Sequence, residues 1–440
     1  MQASPLLAKL NSIFKLTENQ TSVSQELLAG LATFLTMSYI MFVNPIILGA
    51  SGMQPEAVYV ATCLVTIIGT TLVGLMANYP IAIAPAVPVN IFFTYTVVHS
   101  LGYSWQTALG IVFIASIACL VISLTKIRSL IVESMPEAVS IAIAVGIGIF
   151  IALIALHNAG IVIKPSGKSL IGLGSIASLE SLLFFLGLIV IVVLDYFRVH
   201  GAIVLSILFI SGISLLFGLS PFYGIFALPP SLEATFMAAD FKSAWHLEHI
   251  PLIFTFLLMI FFDATGTLLG VLRQSLFHEN QHRSQRISRA LVAESIATTS
   301  GVMLGTVSTS PYIESAAGIE AGGRTGLTAL TVSFCFIIAL FLSPLARSIP
   351  PYAVAPALLY VGILMIKNIA HISLDDPTDF IPCLLIVLMI PFTFSIVDGL
   401  GLGILAYVLL KILTKKARQL NPMLCFIALI FLIYFCFLFH

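Results

Sequence analysis

STSPYIESAAGIEAGGRTG, residues 308–326, places a proline, a carboxylate and a run of glycines inside an otherwise lipid-like chain. Glu314 stands there in apolar company. An ionisable group at membrane depth is costly and tends to face a protein interior or a water-filled cavity, so Glu314 is a candidate functional residue. The alternative is a buried structural hydrogen bond. Pro311 and the series Gly318, Gly322, Gly323 and Gly326 predict an interrupted span, part extended and part short helix.

That reading presumes a membrane, and composition supplies one. Of the 440 residues 59% are hydrophobic and only 9% charged, the net charge is zero and the mean hydropathy is +1.11. A soluble domain carries about 25% charged residues. Here apolar runs rich in Leu, Ile, Ala and Gly approach the roughly 20 residues that cross a bilayer as helix, and the alternating pattern of a transmembrane barrel is absent. The chain is therefore read as an all-α polytopic membrane protein. The six cysteines lie in apolar runs without metal-ligand spacing. No signal-peptide layout opens the chain, and its scattered basic residues leave no nucleic-acid footprint.

A second interruption precedes the first. NYPIAIAPAVPVNIFF, residues 78–93, holds Pro80, Pro85 and Pro88, and three prolines so close cannot form a continuous helix. A short extended piece leading into a half-helix is expected. The first span, about residues 23–43, carries the polar stripe Thr33, Thr36, Ser38 and Tyr39 and ends at Asn44-Pro45. Its hydroxyls either bond back to helix carbonyls or contact a substrate. The eighth span, about residues 252–272, contains FFDATGTLLG and places Asp263 near its middle, the most expensive depth for a charge. Glu294, Asn90, Asp398 and His157 are weaker candidates, and His246 and His249 read as surface residues.

Fourteen crossings result, with the third and tenth broken. A cytoplasmic N-terminal segment covers 1–22, a first repeat 23–220 with seven spans, a connecting loop 221–251, and a second repeat 252–413 with seven more. The C-terminal segment 414–440 includes an apolar run, 423–439, that reads either as an extra span or as an interfacial helix. With the N-terminus inside, all of the nineteen Lys and Arg except Lys164, Lys168, Lys242 and Arg347 fall on the cytoplasmic side. Seven spans per half is an odd number, so the second half is expected to be inverted relative to the first, as in many transporters. Pro85 and Pro311 stand at a common offset of 226 residues, under which Asp263 matches Met37, beside Ser38. Broken segments at matching positions point to a midplane binding site between the half-helices, flanked by spans 1 and 8. Two acceptors, Asp263 and Glu314, together with backbone N–H groups freed at the breaks, suit a planar ligand rich in N–H donors. Either acid could also carry a coupling proton.

Five stretches carry a family resemblance: FLTMSYIMFVNPIILGASGM (34–53), GLMANYPIAIAPA (74–86), FFDATGTLLGV (261–271), YIESAAGIEAGGRTGLTA (312–329) and PFTFSIVDGLGLGILAYVLLK (391–411). Over nearly its whole length the chain resembles the AzgA-like purine permease branch of the nucleobase–cation symporters, relatives of the xanthine and uracil permeases. The resemblance implies a fold of seven plus seven inverted spans divided into core and gate domains, importing adenine, guanine or hypoxanthine with protons. It maps the base-holding acids onto Asp263 and Glu314. Backbone contacts from short strands map onto Ile83, Ala84, Pro85 and Ala86 and onto Thr309, Ser310 and Tyr312; Ser38, from the polar stripe of the first span, is a further candidate for substrate contact. AVPVN (86–90) and SPYIE (310–314) depart from the family pattern, and both border that pocket.

The expected partners are a purine base, a proton and membrane lipid, with no nucleic acid and with homodimerisation left open; no cofactor or metal is called for. The expected location is the cell membrane, as a multi-pass protein. An anion or sulfate exchanger of the same architecture is the competing transport reading, although its site would favour positive or neutral groups. A membrane-embedded enzyme is the third, and no HExxH, metal cluster or nucleophile constellation supports it.

Overall fold

In the computed structural model the described residues are 5–125, 135–163, 172–274, 283–372, 375–393 and 395–438. The expectations for Lys126, Arg128, Lys164 and Lys168, and for the middle of the basic loop at 275–282, lie outside them. Helices dominate. In the first half they are α1 Pro5–Phe14, α2 Val23–Met37, α3 Ile40–Ala50, α4 Pro55–Met76, α5 Val87–Ile91, α6 Trp105–Leu124, α7 Glu137–Asn158, α8 Leu179–Tyr196 and α9 Ala202–Leu216. After the short α10, Phe241–Ala244, the second half contains α11 Ile250–Gln274, α12 Arg283–Leu304, α13 Ser315–Glu320, α14 Gly326–Ala339, α15 Ser343–Arg347, α16 Pro351–Ile366, α17 Pro377–Thr393 and α18 Ile396–Leu413. A last helix, α19 Pro422–Leu438, folds back on α18 and sets Phe431 against Phe254 of α11. Among the described residues eight helical stretches are long and apolar enough to cross a membrane, and three shorter apolar helices accompany them. The protein is a multi-pass membrane protein.

The helices pack in two groups. In one, α4 lies against α12, α14 packs on α2 and α4, and α6 packs on α11 and α12. In the other, α7 packs on α16 and α17, α16 on α8 and α9, and α17 on α18. Shifting α2, α4 and α6 by the 226-residue offset lands close to α11, α12 and α14, and the packing respects that correspondence: α2 on α14 answers α11 on α6, and α4 on α14 answers α12 on α6.

The extended pieces meet at the centre of the first group. Strands β1, Ile83–Pro85, and β4, Thr309–Pro311, pair antiparallel with Ala84 opposite Ser310, two residues separated by that same offset. A second small pair, β2 Val162–Ile163 with β3 Gly172–Leu173, lies apart from it. Both central strands are buried, so their backbone groups need protein partners. Thr70 of α4 serves β1, accepting from Ile83 N at 2.9 Å and donating to Ile83 O at 3.0 Å. Thr298 of α12 serves β4 in the same way at Thr309, accepting at 3.0 Å and donating at 3.4 Å. Ala86 N reaches Ser308 O and Tyr312 N reaches Ala82 O, closing the ladder at both ends.

Two local differences from the sequence reading have simple causes. The first span does not stop at Asn44-Pro45, because α3 runs through Pro45 to Ala50. Its interruption falls earlier, at Ser38 and Tyr39, where Thr36 and Ser38 turn their hydroxyls onto nearby helix carbonyls and compete with the regular ladder. His249 is buried rather than on the surface, its ring edge-on to Tyr103.

Candidate functional site

The central strand pair sets the frame, and each flanking acid arrives on a different element. Asp263 sits halfway along α11, which packs on β4. It is half-buried; the Ser310 side chain is its hydrogen-bonding neighbour, and Oδ2 has no partner. Glu314 occupies the N-cap position of α13, directly after β4, and is also half-buried. Its Oε1 accepts from the Tyr39 hydroxyl at 2.6 Å, and its carbonyl accepts from Thr36 at 3.3 Å. Tyr312 lies between the acids: its hydroxyl donates to Pro85 O at 2.7 Å, and both carboxylates fall within its electrostatic reach.

Of the residues anticipated from sequence, Ile83, Ala84, Pro85, Thr309, Ser310, Tyr312, Asp263 and Glu314 thus converge at one place. Ala86 joins them through its N–H on Ser308. Ser38 is buried, with its hydroxyl on Leu35 O at 3.4 Å, while its neighbours Thr36 and Tyr39 are the residues that reach Glu314.

Two further acids are fully buried. Glu294 lies in the middle of α12. It is fully buried, accepts from Thr298 at 3.0 Å and lies close enough to Asp263 for the two charges to interact. Glu26, in the first turn of α2, went unremarked, yet its carboxylate is wholly buried. It accepts from Arg324 N, from the backbone and side chain of Thr325, and from the backbone and side chain of Thr328, at 2.7–3.2 Å. An anion at the N-terminus of α14 is where free N–H groups and the helix dipole favour one. The sequence signal for it was the pairing of a lone acid at a span entrance with the RTGLT run at another.

Asn44 and Asn90 form a further buried polar pair. Asn90 Nδ2 donates to Asn44 Oδ1 at 2.5 Å, and Asn44 Nδ2 donates to Thr62 and Thr306. Asn90, in α5, thereby ties the half-helix to α3 instead of facing the acids.

On the side of Asp263 away from β4 lies a cavity of about 20 Å³ lined by Pro88, Val89, Ile143, Ile147, Phe262 and Leu400, among others. It has room for roughly one water molecule. Its walls come from both packing groups: α5 and α11 on one side, α7 and α18 on the other. The arrangement can hold a flat molecule that offers N–H donors to two acids and faces apolar side chains.

Comparison with known proteins identifies the family. The profile of the Permease family (Xan_ur_permease) matches residues 24–402. The adenine permease AdeQ of Escherichia coli (strain K12) is 40% identical over 96% of this chain and 95% of its own. The guanine/hypoxanthine permease PbuO of Bacillus subtilis (strain 168) is 38% identical over 96% of this chain and 99% of its own. Among solved structures, the transmembrane domain of the cyanobacterial bicarbonate transporter BicA superposes with a TM-score of 0.64 at 17% identity, covering 86% of this chain and 97% of that one. A likeness at that identity speaks for the fold alone.

Proposed function

The chain belongs to the Permease family, and from that membership we propose that it imports a purine nucleobase, adenine, guanine or hypoxanthine, by proton symport. Its relatives are named permeases, and it is a transporter rather than an enzyme. The observation that carries the substrate class is the placing of two acids beside β4 in apolar surroundings, Asp263 on the helix that packs on that strand and Glu314 three residues after it. Purines present ring N–H and exocyclic amine donors on a flat apolar body. Charge-assisted bonds to a carboxylate are about twice as strong as neutral ones, and a dry site strengthens them further.

The reading places substrate between spans 1, 3, 8 and 10. Asp263 and Glu314 bind the base and carry the coupling proton; Ser38, Ile83, Ala84, Pro85, Ala86, Thr309, Ser310 and Tyr312 line the pocket. It takes the packing group of α2, α4, α6, α11, α12 and α14 as the core and the other group as the gate. It retains fourteen crossings in two inverted repeats, 23–220 and 252–413, joined by 221–251, with a cytoplasmic N-terminus. The positive-inside bias supports that orientation, and the common offset of the paired strands supports the repeat.

The test is uptake of radiolabelled adenine, guanine and hypoxanthine in cells lacking their own purine permeases, with and without a protonophore. Accumulation of at least one base that collapses with the proton gradient is expected. Uptake indifferent to the gradient removes the coupling; no uptake of any base removes the substrate class.

A further inference from the structure

Glu314 has a donor from its own chain. The Tyr39 hydroxyl holds Oε1 at 2.6 Å, the short distance of a charge-assisted bond. Its neighbour Tyr312, with ring centroids 6.5 Å apart, spends its own hydroxyl on Pro85 O. The two phenols therefore do different work: one completes the strand frame, the other occupies a carboxylate. Asp263, by comparison, keeps an oxygen without a partner. Tyr39 lies in the two-residue turn between α2 and α3, at the N-cap of α3, so its phenol reaches Glu314 from the junction of two helices.

Resting on the nucleobase reading above, we propose that Tyr39 is a positioning and specificity-determining residue: its phenol stands in for a substrate N–H on Glu314 in the empty carrier, and the arriving base displaces it. Binding then exchanges one donor for another at Oε1. Cargo is selected for the ability to outcompete a phenol at that oxygen. A base with an N–H at that edge succeeds, whereas an isostere presenting only acceptors leaves Tyr39 in place. The displaced hydroxyl is both donor and acceptor, so it can turn to an acceptor nitrogen or oxygen of the bound base.

The test compares Tyr39→Phe and Tyr312→Phe with wild type in lipid nanodiscs, reading equilibrium binding of adenine, guanine and hypoxanthine. With its competitor gone, Tyr39→Phe should bind the preferred base about tenfold more tightly, which converts to about 1.4 kcal/mol. Tyr312→Phe should show no gain, although it too loses a buried hydroxyl. In a Glu314→Gln background the gain from Tyr39→Phe should vanish. A purely structural Tyr39 would predict weaker or unchanged binding in Tyr39→Phe, and either result overturns the displacement. Failure of the nucleobase reading looks different: wild type itself binds none of the three bases, which removes both the cargo and the exchange.

Discussion

Glu26 provides the sharpest test of how the two halves are held together. Replacing it with Ala removes an acceptor that serves five donors, the N–H groups of Arg324, Thr325 and Thr328 and the hydroxyls of Thr325 and Thr328. None of these donors lies on the element that carries Glu26, so the loss falls on the junction between α2 and α14. A buried donor left without a partner costs about 1–3 kcal/mol, though the two hydroxyls can rotate to helix carbonyls. Counting the backbone N–H groups alone, and allowing a water to rescue one of them, leaves two unpartnered donors and a loss of about 2–6 kcal/mol. Losing the anion at a helix N-terminus adds up to about 2 kcal/mol. Glu26→Gln should fall between, since it retains one acceptor oxygen but points an amide donor at other donors. The assay is thermal unfolding of the detergent-solubilised protein followed by size-exclusion chromatography. The expected order of midpoint temperatures is wild type, then Gln, then Ala, with the alanine variant lowered by roughly ten degrees. An alanine variant within about one degree of wild type would refute the reasoning, because a change that small lies within the few tenths of a kcal/mol of an ordinary surface substitution.

Asp263→Asn and Glu314→Gln should each lower purine uptake at least tenfold, while fluorescence-monitored surface expression remains near wild type; full uptake in both would dissolve the site. A side chain at Gly318 would run into the Thr33 hydroxyl and into Ala29 O, at 2.6 Å, so Gly318→Val should cost at least about 3 kcal/mol as overpacking against backbone, read as loss of a monodisperse elution peak. At the α17 entrance, outside the spanning segments, Lys416 and then Thr378 hydrogen-bond Asp376 and hold its carboxyl below the usual carboxylate range. A depressed folded value means that this small stabilisation is complete above about pH 4 and is lost as the pH falls further. The midpoint temperature of wild type should therefore drop more between pH 6 and pH 3 than that of Asp376→Asn.

Much of the frame was legible because it is written in residues with few alternatives. Pro85 and Pro311 cannot sit inside a helix unaided, and both fall in the strands that pair. Asp263 stood out because a mid-span charge has few structural excuses. What escaped was decided by partners distant in sequence. Nothing near Tyr39 announces that its phenol will meet Glu314, 275 residues away. The break at Ser38–Tyr39 has no proline or glycine to signal it, and the proline that is present, Pro45, lies within α3. Glu26 went unremarked because locally it is an ordinary acid at a helix start; its five donors belong to the other half of the chain.

The pairing of Ala84 with Ser310 has one more consequence. A twofold frame treats its two faces alike, but a purine has no twofold axis, so something must decide which way round it lies. Across the 226-residue offset Ser310 faces Ala84, Asp263 corresponds to Met37, and Glu314 to Pro88. Every polar member of these couples lies in the second half. On the proposed reading the chain keeps a paired strand frame and differs in chemistry across it, so that both acids offered to the cargo belong to the second half. The first half supplies the apolar members of these couples, together with the Tyr39 phenol on Glu314. Transplanting an acid to position 37 or 88 would then create a second, opposed address for the same ligand, and with it a carrier unable to choose an orientation.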